Sequence, residues 1–268
     1  MLSLLRHVLS SCPRYVLLFA ALSACLGASA HPVVRIGTGD WVPYVDQQRA
    51  DGGALARLTR EIFMAAGYQV EFMFYPWDRN LLMLEQGSLD AVMPYSCSEQ
   101  RRRISVCSDP VVQGEIVLFQ RTDQQLNWTN IDDLKRFRIA TTLGYSYGPQ
   151  FDAALQAGQL QVEQSGKEDT GLRLLNLARV DFHPQDRAVG YAMLQRLFSP
   201  QERALITHHP RVLNSEPLHL LFRKNDSQAN RLREVFNAGL RRRAKNGELE
   251  RLQQALYSGQ ADQWRAAP

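Results

Sequence analysis

The sequence predicts an α/β protein made of two similar units with a cleft between them. Three observations lead there. Short β-type runs alternate with helix-period runs from Val33 onward. The order β-α-β-α-β, which gives a parallel sheet covered by helices, occurs near the N-terminus and recurs after residue 130. A chain of 268 residues, 45% hydrophobic and 22% charged, has apolar material for a core in each unit.

The elements follow in order. Val33–Thr38 is a β-type run, and Gly39–Gly53 is a loop holding Pro43 and the turn signal Asp51-Gly52-Gly53. Leu55, Leu58, Ile62, Phe63 and Ala66 recur at helical spacing until Gly67 stops the helix. Gln69–Tyr75 alternates, is rich in aromatics and reads as a strand ended by Pro76. Leu81–Gln86 is a short helix closed by Gly87, and Leu89–Met93 has strand length. In the second unit Asp132 and Asp133 open a one-turn helix. Phe137–Thr141 is a strand, Gly144–Gly148 a turn and Pro149–Ala157 a helix. Gln161–Gln164 is a strand, Thr170–Leu177 a helix and Val180–Phe182 a strand. Leu218–Arg223 is a late strand. Asp226 caps a long helix with Leu232, Val235, Phe236, Gly239 and Leu240 on its core face, and Glu248–Tyr257 is the last helix.

The net charge is +4, and Arg6 and Arg14 fall in a leader whose removal lowers it by two. So small a charge does not argue for nucleic acid. Residues 1–30 read as an export signal: positive charge, a short apolar run at Tyr15–Leu22, then Ala28-Ser29-Ala30 as a cleavage site before His31. Leu22-Ser23-Ala24-Cys25 offers a second reading, a lipobox in which Cys25 becomes a lipidated N-terminus. Both readings export the protein, which places it in the periplasm. Two cysteines, Cys97 and Cys107, remain outside the leader. In an oxidising compartment they read as one disulfide, the alternative being two buried thiols. No metal or cofactor site is expected, because the adjacent His208 and His209 point apart in any regular element.

Tyr95 to Arg101 follows a strand, and a loop there that leads into a helix offers free N–H groups and a favourable dipole. Ser96 and Ser98 add hydroxyls, and Arg101 adds a fork suited to a carboxylate. Gly144-Tyr145-Ser146-Tyr147-Gly148 matches the spacing of a nucleophile elbow, but no Asp-then-His order supports a hydrolase.

Gly87-Ser88-Leu89-Asp90-Ala91-Val92, then Ser96 to Arg101, then Cys107-Ser108-Asp109-Pro110 resembles the signature of the family 3 extracellular solute-binding proteins. These are the amino-acid-type periplasmic binding proteins of bacterial ABC transporters. Ile36-Gly37-Thr38 with Trp41-Val42-Pro43-Tyr44, Pro76-Trp77-Asp78-Arg79, Asp132-Asp133-Leu134-Lys135 and Leu221-Phe222-Arg223-Lys224-Asn225-Asp226 are similar to further stretches of the family.

The resemblance implies a two-lobed type II periplasmic binding protein. Lobe 1 is residues 31–113 with 217–268, and lobe 2 is residues 114–216. The hinge falls near Gln113–Glu115 and Glu216–Leu218. It implies a ligand carboxylate on Arg101 with Ser96 beside it, Trp41 and Tyr44 as an aromatic wall, Tyr145 and Ser146 in the second-lobe turn, and Asp186 for a ligand ammonium. Arg187 is an alternative partner for Asp186. The departures are Pro94, Tyr145, Tyr147 and His183-Pro184, the last of which interrupts the strand leading to Asp186. The implied function is capture, not catalysis. The chain then acts as a monomer that takes a small polar solute, such as an amino acid, to an ABC permease in the inner membrane. A sensor without a permease, or a periplasmic enzyme resembling cyclohexadienyl dehydratase, are the other readings of the same scaffold.

Overall fold

A computed structural model describes residues 31–124 and 126–260. Both readings of the leader lie outside the described residues. Strand β1 (Val33–Thr38) pairs in parallel with β2 (Gln69–Phe74) on one side and β3 (Ala91–Ser96) on the other. Helix α1 (Ala54–Ala65) and helix α2 (Trp77–Glu85) connect them. Leu55, Leu58, Ile62 and Phe63 form the buried stripe of α1, as their spacing requires. Gly53 starts that helix at φ 91, where a Cβ would come within 2.9 Å of backbone atoms of Val45 and Asp46, so only glycine fits.

After β3 the chain makes a three-residue 3-10 turn, Arg101–Arg103, and enters β4 (Ser105–Cys107). The sequence reading placed a helix here. A Cys97–Cys107 disulfide spans the segment with its Cα atoms 6.1 Å apart, and β4 pairs with β9 (Ile206–Arg223), leaving no length for a helix. The bridge stabilises this short loop by about 2–3 kcal/mol.

Strand β5 (Val112–Arg121) pairs antiparallel with β9 along nearly its whole length, with two register shifts. The main sheet runs β2-β1-β3-β9-β5-β8, where β8 is His183–Asp186, with β4 alongside β9. A second, parallel sheet joins β6 (Arg138–Thr142) and β7 (Gln161–Ser165), and Ile139 bridges Phe182. Helices α3 (Pro149–Gln156) and α4 (Thr170–Asn176) belong to this half. Phe151, Ile139, Tyr147, Phe182 and Leu134 form its own buried cluster. Helices α5 (Arg187–Leu197) and α6 (Pro200–Arg203) follow β8. Helix α7 (Ser227–Lys245) packs on α1, and α8 (Glu248–Tyr257) closes the described chain. Asp226 caps α7 by accepting from the Ala229 N–H at 2.7 Å.

Strand assignments change around β3, which runs Ala91–Ser96 rather than Leu89–Met93, and at β8 and β9. The last strand starts at Ile206, not Leu218, because the polar run through Asn214 is held by its ladder to β5 rather than by hydrophobicity. Val180–Phe182 is not a strand and contributes only the bridge at Phe182, while His183-Pro184 opens β8 instead of interrupting a strand. The main sheet ends at β8, and proline is tolerated at such an edge.

Candidate functional site

One cavity of about 150 Å³ collects most of the residues the sequence singled out. Its floor comes from the β5/β9 pair through Gly114, Ile116, Glu216 and Leu218. Pro94, Tyr95 and Ser96 at the end of β3 form one wall. Gly144, Tyr145 and Ser146, after β6, form the wall opposite. Trp41 comes from the loop after β1, and Trp77 from the first position of α2.

Arg101 is the cation of this lining. Its Nη1 donates to the Ser96 carbonyl at 3.1 Å and to Ser96 Oγ at 2.5 Å. Its guanidinium carbon stands 5.0 Å from the centre of the Tyr95 ring. Tyr95 is itself fixed by donating its hydroxyl to the Trp77 carbonyl at 2.9 Å. Burial pulls the Arg101 pKa down, opposed by the fields of Tyr95, Glu216 and Asp78. The fork is therefore set by Ser96, the disulfide loop and an aromatic face rather than by a helix dipole. Arg102, beside it, is exposed and donates to the Cys97 carbonyl at 2.7 Å.

Asp186 ends β8 and begins α5. Its Oδ1 accepts from the Ala188 N–H at 2.9 Å and the Val189 N–H at 3.1 Å, so it caps the helix. Tyr44 donates its hydroxyl to the same carboxylate, 3.1 Å from both oxygens. Burial pushes the Asp186 pKa up to about 6, against these hydrogen bonds, which pull it down. Arg187 does not pair with Asp186. It forms an ion pair with Glu115 at 3.1 Å and lies 3.7 Å over the Tyr257 ring.

Tyr44 is fully buried and lies behind the cavity wall, stacked on Trp41 with ring centres 4.6 Å apart. Tyr145 donates its hydroxyl to Glu168. Ser146 donates to Asp152 at 2.5 Å, and no histidine touches it. Sequence reasoning missed Trp77, Asp78, Gln185 and Glu216 as lining residues. Pro76-Trp77-Asp78 resembles a stretch of the family, and its place directly after β2 is the signal that it faces the cleft. Nothing local marks Glu216, which reaches the cavity through strand pairing alone.

A larger hollow of about 510 Å³ lies beside α3, between Asn130–Asp132 and Gln159. Asp132 is its only ionisable lining group, so it lacks the opposed charges that the cleft gathers.

The sequence pattern of the bacterial extracellular solute-binding proteins, family 3, matches residues 34–258. The chain belongs to the family 3 extracellular solute-binding proteins. No curated protein matches it closely enough to count. Among solved structures it is similar to a mutant of ArgBP from T. maritima, with 21% identity, 84% of this chain and 95% of that chain covered, and a TM-score of 0.66. A histidine kinase sensor domain with similarity to periplasmic binding proteins gives 21% identity, 84% and 96% coverage, and a TM-score of 0.70. An ancestral amino acid-binding protein, described as a precursor of cyclohexadienyl dehydratase, gives 21%, 84% and 95%, and 0.66. At these identities the likeness is one of fold, the two-lobed α/β fold of periplasmic binding proteins. For a family 3 binding protein the cavity has fitting chemistry: a guanidinium, the buried Asp186 carboxylate with Glu216 and Asp78 near it, and indole faces around a space for one small molecule.

Proposed function

We propose that this family 3 protein is an exported receptor that captures an α-amino acid in this cavity and delivers it to an ABC permease. The observation that carries the reading is Arg101 and Asp186 lining one cavity, the first from the 3-10 turn after β3 and the second from the junction of β8 and α5. A zwitterion carries both complementary charges on one carbon. Arg101 takes the carboxylate with Ser96 beside it, and Asp186 takes the ammonium. Trp41 walls the side chain, Tyr145 and Ser146 contribute the opposite edge, and Tyr44 acts through Asp186 by fixing its carboxylate.

Residues 31–113 with 217–268 form one lobe and 114–216 the other. The hinge is the stretch of the β5/β9 ladder where Gln113 faces Pro217 and Gly114 faces Glu216. Closure about it buries the ligand. The leader is removed after Ala30 or leaves a lipid on Cys25, and either route places a monomer in the periplasm. Asp186 is anchored by the Ala188 and Val189 N–H groups and by the Tyr44 hydroxyl, and this fixed position suits a carboxylate that answers a ligand ammonium.

Calorimetric titration of the exported protein with single amino acids tests this. Arg101→Ala should weaken binding by about 2–5 kcal/mol, because the ligand carboxylate loses its charged partner in a desolvated site. Arg102→Ala should change it little. Equal losses from both would remove Arg101 as the anchor.

A further inference from the structure

The cavity is acidic inside a basic protein. The chain has a net charge of +4, yet Asp78, Asp186 and Glu216 line the cavity against Arg101 alone. An ammonium and a carboxylate on one ligand carbon would match Asp186 and Arg101, which leaves Glu216, answered in the empty protein by Ser96 and the Arg101 field, and the exposed Asp78 as surplus negative charge. Neither has an ion pair among the described residues. Their fields fall on Arg101, whose guanidinium is turned to Ser96 and Tyr95. Once a ligand carboxylate occupies Arg101, the half-buried Glu216 and the exposed Asp78 leave a negative potential over the space that favours a second cation.

Two further features point to a ligand of the same kind. Trp41 and Trp77 both line the cavity, their ring centres 6.2 Å apart and nearly perpendicular, and indole faces attract cations. Gln185, only 1% exposed, also lines the cavity. Its Oε1 accepts from the Asp186 N–H at 2.8 Å, which fixes the amide, and its Nε2 has no partner among the described residues. A ligand oxygen such as a carboxylate supplies the missing acceptor.

We propose that the ligand is an amino acid with a cationic side chain, and that Glu216 and Asp78 read the side-chain charge. This rests on the amino-acid reading above. The carboxylate on the ligand answers Arg101 and Gln185. The α-ammonium answers Asp186. A side-chain ammonium or guanidinium answers the two remaining carboxylates beside the indoles.

The test is calorimetric titration with pairs matched in shape. L-arginine is set against L-citrulline and L-lysine against L-norleucine, with agmatine and cadaverine as amines lacking the carboxylate. The cationic member of each pair should bind about 30-fold tighter or more, and the gap should narrow with added salt. The double variant Glu216→Gln with Asp78→Asn should bring each ratio to within about threefold, with thermal melting used to verify that it folds. Citrulline or norleucine binding as tightly as its partner overturns the charge selection and leaves the amino-acid reading intact. A ratio that survives the double variant overturns the role of Glu216 and Asp78. Tight binding of agmatine or cadaverine without arginine or lysine overturns the amino-acid reading and keeps the cationic ligand. Failure of every compound to bind overturns the cationic ligand, and the amino-acid reading then stands or falls on the titrations with the other amino acids.

Discussion

Asp186 serves the helix and the cavity with one carboxylate. The Ala188 and Val189 N–H groups and the Tyr44 hydroxyl hold it, yet burial still pushes its pKa up to about 6 from 3.8. The charged form is thus disfavoured in the empty protein, and a ligand cation relieves that. Asp186→Asn keeps an oxygen for the helix cap while removing the charge. The ligand-free variant should therefore be more stable at pH 7.5 by as much as about 3 kcal/mol, while its ligand affinity drops. Denaturant melts and titration at that pH check both halves, and lower stability with unchanged affinity would refute the idea. Part of this was legible in the sequence. Asp186 came from the family resemblance, but its capping role did not. The helix Arg187–Leu197 behind it went unread, because His183-Pro184 looked like a break rather than the start of an edge strand. Tyr44 was legible as an aromatic of the site, and the structure seats it one layer behind, where only tertiary packing puts it.

At the scale of elements, the first half followed periodicity closely. β1, α1 and β2 lie where alternation and helical spacing put them, since each buries a regular stripe. The β5/β9 ladder was hidden in part because half of β9 is polar and gains its place from backbone pairing. α4 and β8 meet through a contact that no local pattern reveals. The Gly171 position on α4 lies against the buried His183 ring, where a Cβ would fall 2.2 Å from Nδ1. That nitrogen is hydrogen-bonded to the Ala140 carbonyl at 3.0 Å, which ties β8 to β6. Gly171→Ala must move the helix or the ring and break this tie, at a loss of about 1–3 kcal/mol. A urea midpoint equal to that of the parent protein would show that the packing yields more easily than this.

For the molecule as a whole, two neighbouring groups on β8 give stability opposite slopes with pH. Burial lowers the His183 pKa to about 4 from 6.5, so the folded state resists a proton that the unfolded chain accepts. Its contribution is present above pH 6.5 and is lost as the pH falls through that value toward 4. Asp186 works the other way. Its folded pKa is raised, so its contribution is full below about pH 4 and is lost as the pH rises through 6. Each spans about two pH units, worth about 3 kcal/mol, so the two offset each other between pH 4 and 6.5. The parent protein should show a shallow profile in that window. Asp186→Asn removes one slope and leaves the other, so the variant's stability should fall by about 3 kcal/mol between pH 6.5 and 4. Its advantage at pH 7.5 should then have shrunk to about 0.5 kcal/mol at pH 4, where Asp186 is neutral in the folded parent and about half ionised in the unfolded chain. Urea unfolding of both proteins at pH 4, 5, 6 and 7.5 measures the two curves. Parallel curves across the window would mean that Asp186 titrates alike in the folded and unfolded chains, and that its burial does not govern its charge.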